Sequence, residues 1–446
     1  MSKGANPISS RRVAVIGAGA AGLVAARELR RESHSVVVFE RQKQVGGLWV
    51  YTPLAESDPV SLDPARSIVH SSVYSSLRTN LPRECMGFSD FPFVPRPGDE
   101  SRDPRRYPSH REVLMYLQDF AREYKIEEMI RFETEVVRVE PAAEDGRKWR
   151  VQSVSSGCLT DEFFDAVVVC NGHFTEPRLA HIPDSWPGKQ IHSHNYRVPG
   201  PFKDQVVVVI GNYASGADIS RDIASVAKEV HIASRTIASE IFEKLPGLTN
   251  LWLNSMIEST HEDGSVVFQN GKVVYADTIV HCTGYKYFFP FLDTNGYVNI
   301  DDNRVGPIYK HVFPPALAPG LSFIGIPFNA LQCFMFEIQS KWVAAVLSGR
   351  VMLLTRDKMM EDVVAFYEKV EAKRYTHRLR DQVEYFNWIT EQCGCLPVER
   401  WREQEHSLGD DRIFTQCDTY RDQWDDDHLI AEAYEDFAKL IQNGVC

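Results

Sequence analysis

The chain lacks most of the features that mark other classes of protein. No run approaches the roughly 18–20 uninterrupted apolar residues of a membrane-spanning helix, so no span or anchor is expected. Its nine cysteines (85, 158, 170, 282, 333, 393, 395, 417, 446) are odd in number and scattered. That pattern is not a disulfide framework and suits a reducing, cytoplasmic setting. Positive charge is in deficit, with 49 Lys and Arg against 61 Asp and Glu and a net charge of −12. A nucleic-acid surface needs clustered cations, so none is expected. The basic run Arg102–Arg106 reads as solvated loop. Catalytic clusters are missing too: no Ser-His-Asp set, paired carboxylates or metal cluster emerges. Cys393-Gly394-Cys395 has no second Cys/His pair at zinc spacing and reads as structural or surface thiols. Met1–Ser10 is polar and lacks the hydrophobic core region of a signal peptide. Phe437–Cys446 is neither a membrane tail nor a prenylation box.

What is present is length and two glycine fingerprints. A chain of 446 residues, 43% hydrophobic and 25% charged, fits a soluble globular protein of two to three domains. Gly17-Ala18-Gly19-Ala20-Ala21-Gly22 follows the apolar run Val13–Ile16, and Gly211-Asn212-Tyr213-Ala214-Ser215-Gly216 follows Val206–Ile210. In each, the glycines permit a tight turn and close helix packing, and a helix N-terminus is offered to a diphosphate. Counting 23 positions from the first glycine (17 to 40, 211 to 234) gives Glu40 in one case and Ser234, followed by Arg235, in the other. A carboxylate there accepts hydrogen bonds from a ribose diol and repels a 2′-phosphate, while arginine with a neighbouring hydroxyl does the reverse. The pair reads as one site for FAD and one for NADPH.

Around the first fingerprint the pattern predicts a strand, a helix over Ala20–Arg31 and a second strand over Ser35–Glu40. A long Pro- and Ser-rich stretch from Pro53 to Pro108 follows, then a helix over Ser109–Tyr124 with Ser109 and Glu112 as a capping box. Glu133–Val139 and Trp149–Val154 read as a β-ribbon leading to a strand that ends at Asn171-Gly172, a hinge out of the first domain. Asp204–Ser234 repeats the plan, and Thr278–Tyr285 is the return hinge. The expected fold is α/β: two Rossmann-like dinucleotide-binding domains, the second inserted into the first. The boundaries are 1–171 for the first part of the FAD domain, 172–284 for the NADPH domain, and 285–446 for the returning part. The helical segments from Glu337 onward are expected to pack on the outside.

Gly46-Gly47-Leu48-Trp49 permits close passage of a flavin diphosphate, with Trp49 covering or lining the flavin cavity. Thr79-Asn80 precedes Leu81-Pro82; by composition Asn80 is a turn residue, although its amide can both donate and accept near a flavin.

In Trp186-Pro187-Gly188-Lys189-Gln190-Ile191-His192-Ser193-His194-Asn195-Tyr196 the chain resembles the flavin-containing monooxygenases, whose pattern is F-x-G-x-x-x-H-x-x-x-F/Y. Gly188, His192 and Tyr196 match and Trp186 replaces the phenylalanine. The likeness runs through both fingerprints, Thr79-Asn80, Phe91-Pro92-Phe93 and Cys282-Thr283-Gly284-Tyr285, essentially the whole chain, and is nearest to the plant S-oxygenating branch. One departure is Tyr213 at the middle glycine of the second fingerprint, where it should re-route backbone contact with the diphosphate.

The resemblance implies that NADPH reduces FAD, that the reduced flavin and O₂ form a hydroperoxide, and that a thioether sulfur takes an oxygen to give a sulfoxide. The substrate would be an S-alk(en)yl-cysteine derivative or a methylthioalkyl glucosinolate. Because the cofactor carries the chemistry, few catalytic side chains are needed. The resemblance makes Asn80 the catalytic candidate and assigns His192 to packing between domains. Thr79, Val136, Thr283 and Gly284 join the cofactor-binding candidates, with Gln332 favoured over Asn329 at the flavin edge. Specificity is expected from Tyr51–Asp63, Phe242–Asn254 and Phe328–Phe336. The rival readings are an N-hydroxylating or auxin-forming relative, a Baeyer–Villiger oxygenase, a disulfide reductase and a flavin-bound regulatory protein without turnover. Oligomeric state is left open.

Overall fold

The computed structural model describes residues 9–142, 148–183, 185–370 and 372–443. The readings of Met1–Ser10 and of the tail to Cys446 thus fall largely or partly outside the described residues.

Two parallel sheets organise the molecule. In the first, the order is Leu321–Phe323, Ala166–Val169, Arg12–Ile16, Ser35–Phe39, Ile130–Arg131, all parallel. The strands are short and almost wholly apolar, as expected of strands covered on both faces. The helix Ala20–Arg31 follows the first strand and packs against the 17-residue helix Gln332–Ser348. That second helix is a correction to the sequence reading: it lies in the core rather than outside, with Met335, Ile338, Trp342 and Leu347 buried. A hydrophobic run with little amphipathic contrast is what a helix buried all round carries.

The second sheet has the order Phe242–Lys244, Leu251–Asn254, Glu229–Ala233, Val206–Ile210, Thr278–His281, Lys189–His192. All pairs are parallel except the first. Glycine helix Ala214–Ala224 covers it. His192 therefore ends an edge strand and is fully buried. Phe242–Asn254, read as a specificity loop, supplies two strands of this sheet instead.

Two crossings join the sheets. Glu176–Pro177 on the way out pairs antiparallel with Tyr285–Lys286 on the way back. The β-ribbon has three strands, Thr134–Pro141, Trp149–Ser155 and Cys158–Phe164; the last, mostly exposed, had no apolar alternation to announce it.

Two local expectations fail for electrostatic reasons. Ser109 occupies the N-cap of helix His110–Glu123 but makes no side-chain cap bond. The Glu112 carboxylate instead accepts from Arg102 Nε (3.0 Å) and the Asp103 N–H (3.0 Å). The run Arg102–Arg106 is not solvated throughout. Arg102 is buried against Glu112 and Asp119, and Arg106 against Glu405 and Asp426. Buried cations demand such partners, and these four carboxylates lie up to 320 positions away.

Candidate active site: two dinucleotide cradles

The first fingerprint makes a turn that only glycine fits. Gly17 has φ +104°, and a Cβ on it would lie 2.7 Å from the Cys170 carbonyl oxygen. A Cβ on Gly22 would lie 1.9 Å from the Gly17 oxygen, so the helix sits directly on the turn. Gly19 differs. A Cβ there would meet its nearest protein atom, the Gly47 Cα, at an ordinary 3.6 Å. The protein's own packing does not require glycine at 19; the room left open faces the cleft. That is the fit expected of a cradle for a diphosphate at the start of helix Ala20–Arg31.

Gly17, Gly19, Ala20, Ala21, Glu40, Gly47, Leu48, Trp49, Val136 and Gln332 line one cleft at the ends of the first sheet's strands. Ala18 lies just behind it, wholly buried, and Gly22 is held inside the helix. Glu40 is buried and accepts from the Ala18 N–H (Oε2, 2.8 Å) and the Gln42 N–H (Oε1, 2.8 Å). Burial pushes its carboxyl above the usual range, and the two backbone donors act against that shift. Its oxygens keep further lone pairs for a ribose diol. Gln332 begins the buried helix at the cleft wall, whereas Asn329 points elsewhere and accepts from the Tyr213 hydroxyl.

The second fingerprint repeats the backbone. Gly211 has φ +111°, its Cβ would lie 2.4 Å from the Cys282 oxygen, and one on Gly216 would lie 2.0 Å from the Gly211 oxygen. Asn212, Tyr213, Ala214 and Ser215 carry the chain into the helix, with Tyr213 as its N-cap residue. Ser234 directly follows the neighbouring strand Glu229–Ala233, buried, its hydroxyl 3.0 Å from that of Thr236. Arg235 is exposed, and no hydrogen bond or ion pair holds its side chain among the described residues. None of these residues lines the first cleft.

Thr79 and Asn80 are not among the residues that line the first cleft. Thr79 is buried and its hydroxyl has no partner among the described residues; Asn80 is exposed. Their loop meets the second cradle's helix through Tyr74 to Asp218 (3.0 Å) and Ser76 to Asp222 (2.7 Å). Thr283 and Gly284 sit on the return crossing. The Thr283 hydroxyl donates to the Arg178 carbonyl, and the Gly284 carbonyl accepts from the Arg178 N–H (2.9 Å) and from His192 Nε2 (3.1 Å). The other nitrogen of His192 accepts from the His194 N–H (3.0 Å), and burial drives the ring's pKa down to about 3. A neutral imidazole with both nitrogens engaged is a structural pin.

Several functional contributions escaped sequence reasoning. His70 and His173 line the cleft; burial lowers their pKa values to about 3 and about 4, and His173 Nε2 has no partner among the described residues. Ile68 and His70 reach the cleft because residues just after the signature histidine hold their segment. Asn195 Nδ2 donates to the Pro59 carbonyl (3.0 Å) and Ser61 Oγ (3.0 Å), and Arg197 donates to the carbonyls of Leu54 (3.0 Å) and Ser71 (2.9 Å). Only the irregular Pro- and Ser-rich composition hinted at such a strap. Cys170 is the one cysteine lining the cleft among the described residues, and the Cys393/Cys395 pair is absent from its wall.

A family model described as flavin-binding monooxygenase-like matches residues 10–245 and 241–400. The chain belongs to that family. It is 72% identical to the flavin-containing monooxygenase FMO GS-OX5 of Arabidopsis thaliana over 98% of this chain and 97% of the relative. Among solved structures, the S-allyl-L-cysteine S-oxygenase of Allium sativum superposes with a TM-score of 0.95 at 56% identity, covering 97% of this chain and 100% of that one. Tmm from a Pelagibacter species follows at 0.78 and 25%, covering 92% and 93%. No helix among the described residues is long and apolar enough to cross a membrane.

Proposed function

We propose that this flavin monooxygenase converts a small thioether to its sulfoxide, consuming NADPH and O₂ and releasing NADP⁺ and water. The observation that carries the reading is the joint presence of two cradles of opposite ribose chemistry in a chain that matches an S-allyl-L-cysteine S-oxygenase almost end to end. The chemistry that FAD would supply there is acceptance of a hydride from NADPH and transfer of one oxygen atom of O₂ to sulfur.

The side chains hold and orient. Gly17, Gly19 and the start of helix Ala20–Arg31 take the flavin dinucleotide's diphosphate, and Glu40 takes its adenosine ribose. Gly47, Leu48, Trp49, Val136 and Gln332 enclose the remainder. Gly211–Gly216 take the NADPH diphosphate, with Ser234 and Arg235 on the 2′-phosphate. Thr79 and Asn80, on a loop tied to the second cradle's helix, are assigned to the reacting ends, where the Asn80 amide steadies flavin and nicotinamide together. Thr283 and Gly284 support the crossing beside them. The domain limits 1–171, 172–284 and 285–446 place one cradle in each dinucleotide domain.

The substrate class is an S-alk(en)yl-cysteine derivative or a methylthioalkyl glucosinolate. A cytoplasmic setting is favoured by eight described cysteines that are all free. The test is a panel of both thioether classes, following NADPH consumption, sulfoxide and hydrogen peroxide. Sulfoxide formed one-to-one with NADPH supports the reading. NADPH oxidation that yields only peroxide with every thioether, or hydroxylation of amines instead, overturns it.

A further inference from the structure

The loop that carries Asn80 is held by the far end of the chain. Arg421 lies between helices Arg400–Thr415 and Asp427–Asn443, and its guanidinium reaches two other parts of the molecule at once. Its Nε donates at 2.9 Å to the Thr79 carbonyl, the oxygen of the peptide group that joins Thr79 to Asn80. Its Nη1 and Nη2 donate to the two carboxylate oxygens of Asp218 at 2.8 and 2.6 Å. Asp218 stands on helix Ala214–Ala224, whose first turn is the second cradle, and also accepts from the Tyr74 hydroxyl. The grip is reciprocated: Arg78 donates to both oxygens of Asp422 at 3.0 and 2.9 Å and to the Arg421 carbonyl at 3.2 Å.

We propose that Arg421 is a positioning residue that couples the seating of the nicotinamide nucleotide to the placement of Asn80. This inference rests on the role of Asn80 given under the proposed function. A planar fork can serve a carboxylate with two donors and a carbonyl with the third; an ammonium carries one compact charge and cannot span both. Movement of helix Ala214–Ala224 as a nucleotide settles on its N-terminus is therefore passed through Asp218 and Arg421 to the Thr79 carbonyl. Asn80 itself has no side-chain hydrogen bond among the described residues, so its position depends on how its backbone is held.

The test uses FAD-loaded full-length enzyme and three measurements: NADP⁺ affinity from flavin fluorescence, peroxide released per sulfoxide formed, and the melting temperature. Arg421→Met is expected to raise both the NADP⁺ Kd and the peroxide ratio at least fivefold with FAD content unchanged, and Arg421→Lys to recover neither fully. A lower melting temperature with unchanged affinity and coupling would make Arg421 merely structural and overturn the inference, as would full recovery by lysine. If Arg421→Met does not load FAD, Asp218→Asn is measured in its place against the same criteria. Asn80→Ala, run alongside, separates the two claims. Uncoupling in Asn80→Ala without uncoupling in the Arg421 and Asp218 variants overturns this inference alone; coupling unchanged in Asn80→Ala overturns the underlying reading with it.

Discussion

The two glycine turns have nearly the same backbone and different side chains at the points a ligand would touch. Gly17 N–H and Gly211 N–H each donate 2.8 Å to the carbonyl of the adjacent strand, at Phe39 and Ala233. Their φ values are +104° and +111°, and each turn lies against a cysteine, Cys170 or Cys282, at the end of the neighbouring strand. The outer glycines are thus fixed by folding. Residues 19 and 213, by contrast, are both extended N-cap positions, yet one is glycine and the other a half-exposed tyrosine. Glu40 and the Ser234-Arg235 pair differ in charge at equivalent strand ends. What the scaffold demands is shared, and the residues that differ are the ones the proposed function assigns to recognition.

The harshest way to separate the cradles is to crowd each turn in turn. Gly22→Ala drives a Cβ into the Gly17 carbonyl and Gly216→Ala drives one into that of Gly211. Such overpacking costs about 1–3 kcal/mol or more and displaces the helix N-terminus. Gly22→Ala is expected to purify without flavin. Gly216→Ala should remain yellow but accept hydride from NADPH at less than about a hundredth of the normal rate, since it disturbs the second cradle alone. Flavin content by absorbance and anaerobic reduction by stopped flow check both; equal flavin loss in the two variants would remove the division of labour.

Asn80→Ala should spare FAD binding and reduction by NADPH while raising peroxide released per sulfoxide. Asn80 is exposed in the protein alone; once the two dinucleotides cover it, one preorganised hydrogen bond is worth about 3 kcal/mol, roughly two orders of magnitude. A turn residue would give the opposite signature, lower melting temperature with coupling intact.

The charge contrast is tested by Arg235→Ala. Loss of a charge-assisted contact to a phosphate costs about 1.5–3 kcal/mol, so the preference for NADPH over NADH, as a ratio of kcat/KM values, should fall roughly ten- to hundredfold. An unchanged ratio would place the 2′-phosphate elsewhere. FAD retention should not respond, because Glu40 serves the other cradle.

The fold and the cradles were legible because their signals are local. Strand, turn and helix each lie within about 30 residues, and the helix Ala20–Arg31 and strand Val206–Ile210 coincide with their sequence limits. What stayed hidden depends on distant pairing. Arg106 looks solvated until Glu405 and Asp426 arrive from the C-terminal part of the chain, and Arg102 until helix His110–Glu123 brings Glu112 and Asp119. His192 looks like a loop residue until Lys189–His192 joins a sheet edge, and His70 and His173 show no motif at all. The burial of helix Gln332–Ser348 likewise follows from its docking on the first glycine helix, a contact no spacing within it reveals.

The smallest effect tests the one place where the second fingerprint breaks its pattern. In the first turn, position 19 is a glycine with open space at its Cβ; in the second, the matching position is Tyr213, half-exposed, whose hydroxyl donates to Asn329. Tyrosine there exchanges close backbone approach for a tie between the nucleotide turn and the segment leading to Gln332. Tyr213→Phe keeps the ring and removes the tie. A neutral hydrogen bond at a half-exposed site lies at the low end of the usual range, about 0.5–1 kcal/mol, so NADP⁺ affinity should fall about two- to fivefold. Flavin content and the NADPH-to-NADH ratio should not move, since neither Glu40 nor Arg235 is touched. Titration of NADP⁺ into the oxidised enzyme measures it. An affinity equal to that of the parent enzyme would reduce Tyr213 to packing and leave the two cradles differing in charge alone.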